Sequence, residues 1–484
     1  MSRASLRMDL SPLRARDFRL LFASGTVTQL GTQATEVALV VQVKQLTGSA
    51  FAVGLLGAAE LVPLVAFALY GGVLADRLDR RRVVRSCEAA LGGCAALLLA
   101  VSALPRPPVW PLYAVTALMT AAGAVQRPSL DASIPRVVPR DRLTAAAALL
   151  SSSQSLSIIA GGALGGVLAA GPGPLFVYAL DAASFAVSFG LLVRLRPLPA
   201  PPAGERGPAP GLRGLLGGLR YARGRPDLLG SYLADLTAMI MAYPNALFPF
   251  VAVALHASWA VGLMFAAPSA GAVAVTVVSG WMTRVRRPGL AIAIAAGVWG
   301  LAVTAFGLAP DIGVALAALV VAGAADMVSG IFRDTLWNQT IPDALRGRLA
   351  GVEMLSYAVG PSAGQLRAGL VASLSTPRIA LASGGVACVA AVGVVCAVFP
   401  AFTAYVTSPA VPPAPATPCI PKIALTPVAS SITAAPPTPA APPTASSTTA
   451  APSIPAAASA PPDTPGGTAS GAVISRPAAP GNDR

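Results

Sequence analysis

The sequence predicts an all-helical membrane protein: twelve transmembrane helices in two parallel six-helix bundles, followed by a disordered C-terminal tail. Three observations carry that expectation. Charged residues make up only 11% of the 484 while apolar ones reach 55%, against roughly 25% charged in soluble domains. Apolar segments of about twenty residues, the length that crosses a bilayer, recur from Phe18 to Phe399. The arginines fall in alternate loops, as they do when every loop between them has changed sides.

With Pro, Gly and Arg clusters as punctuation, the first six helices fall near residues 17–44, 51–75, 83–104, 109–127, 142–170 and 174–194. The second six fall near 228–254, 258–283, 289–309, 312–334, 347–371 and 377–399. Residues 1–16 then form a short N-terminus, 17–194 and 228–400 the two bundles, 195–227 a Pro-, Gly- and Arg-rich linker, and 401–484 the tail. The first apolar stretch follows basic residues as a signal peptide would. Gln29, Gln33 and Glu36 interrupt it without a small-residue cleavage site, so it reads as an uncleaved first span. The tail is dominated by Pro, Ala, Ser and Thr, a composition that cannot bury a core.

Loops assigned to one side hold 27 of the 34 lysines and arginines, in clusters such as Arg77 to Arg85 and Arg284 to Arg287. The other side holds Lys44, Arg106, Arg367 and Arg378. Arg is costly to translocate and is attracted to anionic lipid on the cytoplasmic face, so both termini and the linker are expected inside. The net charge of +14 is thereby explained by topology, and no nucleic-acid partner is expected.

The two halves also echo one another. Arg127 and Leu130 match Arg333 and Leu336 at an offset of 206, and Ile134-Pro135 and Ile341-Pro342 each precede an Arg-Leu pair. Symmetry at half the length of the membrane region indicates two repeated bundles around a central path.

The loop after the second helix reads Gly71-Gly72-Val73-Leu74-Ala75-Asp76-Arg77-Leu78-Asp79-Arg80-Arg81-Arg82. It resembles the G-x-x-x-D-R-x-G-R-R motif of the major facilitator superfamily, with Asp79 in place of the second Gly. The corresponding loop of the second half, Gly280 to Arg287, keeps Gly and Arg and lacks the acid. In the fifth helix, Gly161-Gly162-Ala163-Leu164-Gly165-Gly166 resembles the antiporter motif of the drug-efflux branch, with Gly162 replacing its Pro, and Gly360-Pro361-Ser362-Ala363-Gly364 is its companion in helix eleven. Such small residues let helices pack closely and bend. The Leu46-Thr47-Gly48-Ser49 turn, the Tyr178 to Phe185 stretch and Leu345-Arg346-Gly347-Arg348-Leu349 look like the enterobactin-exporter and macrolide-efflux subgroup.

The resemblance implies export of a small organic molecule, a siderophore or a hydrophobic drug, by alternating access and proton antiport. It also implies a cytoplasmic gate containing Gly72, Asp76, Arg77, Arg80 and Arg81, with Asp131 as a partner for Arg80. In that architecture helices 1, 4, 7 and 10 line the path. Gln29, Gln33 and Glu36 share one helix face at i, i+4 and i+7, and Asp235, Met239 and Tyr243 form a similar stripe on helix 7. An acid mid-span costs about 2.5–3.5 kcal/mol, so Glu36, Glu60, Asp181, Asp235, Asp326 and Glu353 each need a reason. Glu36, Asp235 and Asp326 are the expected proton-coupling residues, although Asp235, Asp326 and Glu353 lie near helix ends where Arg pairing would serve equally.

No catalytic constellation, Gly-Lys phosphate loop or metal-ligand spacing is present, and His256 is the one histidine. The chain is therefore expected to be no enzyme and to need no cofactor beyond a proton gradient, acting as a monomer in membrane lipid. A nutrient importer on the same fold and a nontransporting receptor or scaffold are the alternatives.

Overall fold

The computed structural model describes residues 9–77, 79–197, 220–221, 223–341 and 343–406, without the side chains of 68–77, 140, 338 and 343–358. The tail from residue 407 and most of the linker, 198–219 and 222, lie outside the described residues. Within them the long elements are α1 Arg16–Thr47, α2 Ala50–Arg77, α3 Arg80–Ser102, α4 Trp110–Asp131, α5 Leu143–Ala170 and α6 Pro174–Val193. The second set comprises α7 Pro226–Ala242, α8 Val261–Val277, α9 Pro288–Leu308, α10 Ile312–Thr340, α11 Asp343–Leu374 and α12 Pro377–Val398. No strand occurs among the described residues. Among the described residues, nine helical spans are long and apolar enough to cross a membrane by length and composition. The helices outside that set are α1, α4 and α11, and each contributes polar residues to the cavity described below.

Local chemistry sets the ends. Gly48 closes α1 in the left-handed region at φ 62°, its N–H donating to the Lys44 carbonyl at 2.8 Å. Thr376 and Asp311 cap α12 and α10 by accepting from the Ile379 and Val314 N–H groups. Asp79, the departure from the superfamily motif, caps α3: its Oδ1 accepts from the N–H groups of Arg81 at 2.9 Å and Arg82 at 3.4 Å. A carboxylate there also offsets the positive helix end beside three arginines. Asp79→Ala is expected to lower stability by about 1 kcal/mol, measured as a fall in the melting temperature of purified protein. An unchanged melting temperature would leave the substitution of Gly by Asp without this explanation.

Two expected spans differ in detail. The seventh is broken: α7 stops at Ala242, a 3-10 turn covers Asn245–Leu247, and helix resumes over Phe248–Ala254. Pro244 supplies no N–H and drives Tyr243 to an extended backbone, ψ 117°. The eighth ends at Val277 and passes into the 3-10 turn Ser279–Arg284.

The helices form two sets of six, α1–α6 and α7–α12, that meet along α2 against α11 and α5 against α8. Glycine faces glycine in both seams. A Cβ at Gly54 of α2 would lie 2.9 Å from the Gly369 Cα of α11, and one at Gly262 of α8 would lie 2.7 Å from the Ala163 carbonyl of α5, beside Gly166. Backbones this close exclude side chains. All of these residues sit at the end of the molecule away from the arginine-rich loops. There Lys44 of the first set also donates to the Pro249 carbonyl of the second at 3.1 Å and lies 5.6 Å from the Phe250 ring. Gly166→Leu is expected to reduce transport severely by holding this seam apart, read as lost activity at normal membrane abundance. Near wild-type rates would show that the seam tolerates separation.

Candidate functional site

A cavity of two adjoining lobes opens within the first set and extends to the second. The larger, about 390 Å³, is walled by the first set: Thr28, Gln29, Thr32, Thr35 and Glu36 of α1, Glu60 of α2, Glu88 of α3, Thr116, Thr120, Gln126 and Arg127 of α4, and Phe185 of α6. It reaches Arg127, Leu130 and Leu192, within two turns of the arginine-rich end. The smaller, about 280 Å³, bridges the sets: Glu36, Glu60, Thr116 and Thr120 face Tyr243, Asn245, Phe265, Pro361, Ser362 and Gln365. A third hollow, about 690 Å³, lies on α9 and α10. Its lining is nearly all apolar and includes the exposed Leu290, Ile294 and Val321, the face a helix turns to lipid, so it is not the path.

Glu36 and Glu60 are shared by both lobes. Glu36 lies mid-helix, yet its side chain is exposed to the cavity, and no hydrogen bond or ion pair to it occurs among the described residues. Glu60 accepts from Ser362 Oγ at 3.2 Å and Gln365 Nε2 at 3.4 Å, both on α11, so it ties the two sets through neutral donors. The first set holds two more carboxylates, Asp181 behind the wall and Glu88 in the wall of the larger lobe. Asp181 is buried and accepts from Thr35 Oγ1 at 2.8 Å and Ser184 Oγ at 3.3 Å. Glu88 accepts from Gln126 Nε2 at 2.6 Å and from Ser188 Oγ. Each buried oxygen thus has a donor, and a buried carboxylate without one would be strongly destabilising.

The expected path residues divide. Gln29 lines the larger lobe and Tyr243 the smaller one, where its hydroxyl accepts from Asn245 Nδ2 at 2.9 Å. Gln33 accepts from Gln29 at 3.5 Å but packs under Gly161 of α5 and lines neither lobe. Met239 is buried against Gly360 and Gly364 of α11 and is a packing residue. Asp235 is not a cavity acid: it forms a buried ion pair with Arg333 of α10, both side chains almost fully enclosed. Asp326 is half-buried on α10 and lines neither lobe.

The glycine motifs seat neighbouring helices. Helix α5 runs unbroken through Gly161, Gly162, Gly165 and Gly166; Gly161 and Gly165 seat on Leu30, Gln33 and Ala34 of α1, Gly162 faces Phe265, and Gly166 meets Gly262. Pro361 lies inside α11 between Gly360 and Gly364.

Of the expected gate, Gly72, Asp76 and Arg77 fall in the last turns of α2, and their side chains lie outside the described residues. Arg80 and Arg81 brace the start of α3, donating at 2.7 Å to the carbonyls of Ala132 and Val193, beyond α4 and at the end of α6. Asp131 sits 3.7 Å from Arg127 on its own helix, and the carbonyl that Arg80 meets belongs to the next residue, Ala132.

Glu60 and Glu88 are the cavity acids that sequence reasoning did not select. Glu60 was visible as an intramembrane acid but stands on no polar stripe. Glu88 lies one helical turn beyond the arginine cluster, where an acid looks like an ordinary surface charge.

Comparison with known proteins agrees with this architecture. Residues 7–415 match the family described as transmembrane secretion effector. The enterobactin exporter EntS of Citrobacter koseri is 29% identical over 384 residues, 78% of this chain and 90% of the relative. That of Shigella boydii is 28% identical over 392 residues with the same coverage. Among solved structures, the nucleoside transporter NupG superposes with a TM-score of 0.64 at 13% identity, over 80% of this chain and 99% of its own. A POT family transporter solved with 5-aminolevulinic acid gives 0.63 at 11% identity, over 80% of this chain and 97% of its own. At those identities the superpositions speak for the fold alone.

Proposed function

We propose that this chain, which belongs to the transmembrane secretion effector family, exports a small organic molecule across the cytoplasmic membrane in exchange for protons. It is a membrane transporter of the major facilitator type and not an enzyme. The direction and the coupling are the proposal. The observation that carries it is a cavity walled by Glu36 and Glu60 that reaches the arginine-rich end while glycine seams close the other.

With the arginine-rich loops in the cytoplasm, this is the inward-facing state, ready to load from inside. Substrate enters past Arg127 and settles between α1, α2 and α4, and the two sets then rock so that the seams at α2–α11 and α5–α8 part. A proton taken from outside occupies a wall carboxylate on the return. The chain works as a monomer surrounded by lipid, its termini and the 195–227 linker on the inner side. Relatives that export enterobactin make catecholate siderophores one class to test, and the drug-efflux motif of α5 makes hydrophobic drugs such as macrolides the other.

Inverted membrane vesicles test this. An imposed proton gradient, acid inside, is expected to drive uptake of substrate, and a protonophore to stop it. Full uptake after the gradient has been dissipated would end the antiport reading, and an extracellular reporter signal from a fusion in the linker would end the proposed orientation.

A further inference from the structure

The cavity has an electrical sign that its fold does not require. Glu36 and Glu60 line both lobes and Glu88 the larger one. Arg127 is the one basic side chain among the described lining residues, and it stands toward the mouth at 3.7 Å from Asp131. The second set shows the contrast: there a buried Asp235 is answered by Arg333. In the cavity the donors that meet carboxylate are neutral, from Ser362, Gln365, Gln126 and Ser188, and none meets Glu36 among the described residues.

Carboxylates held at low dielectric repel an anion and attract a cation far more strongly than they would in water. Aromatic faces favour the same sign: Tyr243 and Phe265 wall the bridging lobe and Phe185 the other. Among the Thr and Gln side chains of the wall stand the apolar Leu39, Leu64, Leu91 and Met119, which suit the hydrophobic part of a solute.

We infer that the exported molecule is a hydrophobic organic cation, carrying its positive charge between Glu36 and Glu60. This deepens the export reading and rests on the cavity being the transport path. It separates the two substrate classes, because a basic drug brings the charge the walls call for, whereas a catechol becomes an anion when it ionises. Cation and proton are then alternatives at the same carboxylate oxygens, so one displaces the other, and exchange follows without a separate coupling device.

The test uses two probes of like shape and opposite charge, tetraphenylphosphonium and tetraphenylborate, in equilibrium dialysis of the purified full chain against protein-free micelles. The cation is expected to be retained and the anion not. Glu36→Gln and Glu60→Gln are each expected to weaken retention about tenfold, the scale of one charge-assisted contact, and Asp9→Asn, outside the cavity, to leave it unchanged. Retention of the anion as strong as that of the cation, retention of neither, or cation retention indifferent to both glutamate variants would each overturn the inference. Dialysis needs no gradient. A chain that binds the cation yet fails in vesicles therefore refutes the export reading alone, and one that exports a neutral or anionic compound while ignoring the cation refutes the charge assignment alone.

Discussion

Glu36→Gln is expected to abolish gradient-driven export, reducing uptake into inverted vesicles to that of vesicles lacking the protein, at normal abundance. Glutamine keeps the size and polarity of the side chain and removes its proton exchange. Glu36 is suited to that exchange by position: it faces the cavity, it belongs to both lobes, and no described residue bonds to it. An acid held by several donors would have to break those bonds whenever it took up a proton. Export against a gradient requires that loading and return be tied to opposite protonation states, because a ligand shifts a conformational equilibrium only by its differential affinity for the two states. With the tie cut, the two sets still rock. Downhill exchange at high substrate concentration should therefore persist in Glu36→Gln while its dependence on the pH gradient disappears. If that dependence is unchanged, the proton site lies elsewhere, and Glu60 is the next residue to replace.

The helices and the family were legible in the sequence because each depends on local composition. Twenty apolar residues make a span whatever they pack against, Arg clusters fix alternation, and Gly166 and Gly360 announce close approach without naming the partner helix. The cavity was only half legible, for a geometric reason. A polar stripe shows which residues share a helix face but not which neighbour covers that face: Gln29 and Glu36 open to the cavity, while Gln33, between them, lies under Gly161 of α5. Met239 looked like a path residue by the same spacing and proved to be a seat for Gly360 and Gly364. Glu60 went unchosen because its partners, Ser362 and Gln365, lie some three hundred residues away, and no local pattern signals a contact of that range. Asp79 shows the reverse case. That departure from the superfamily motif stood without a reason in the sequence and is explained once its carboxylate is seen capping α3.

Arg333→Met is expected to have the largest effect on stability of any single substitution in the second set, about 3–5 kcal/mol, with Asp235→Asn nearly as severe. The two side chains are 2% and 4% exposed, and removing one member of a buried ion pair leaves the other's charge desolvated. Their surroundings are too firm to relax around the loss. One turn beyond Arg333, the Trp337 Nε1 donates to Ser231 Oγ at 3.0 Å, its ring lies 4.7 Å from that of Tyr232, and Leu228 and Leu336 are fully buried beside them. Arg225 adds a 2.7 Å contact to Asp227 at the start of α7. This packing fixes α7 to α10 at the arginine-rich end, where the second set must move as one body if it is to rock. The double variant Asp235→Asn with Arg333→Met should recover much of the loss, because neither charge is then left alone, so the two effects will fall well short of additive. Melting temperatures of the wild type, the single variants and the double variant, followed by size-exclusion recovery after heating, measure that coupling. Strict additivity would dissolve the pair as a structural unit. An Asp235→Asn protein of normal stability whose transport no longer responds to pH would return Asp235 to the proton path from which its ion pair with Arg333 removes it.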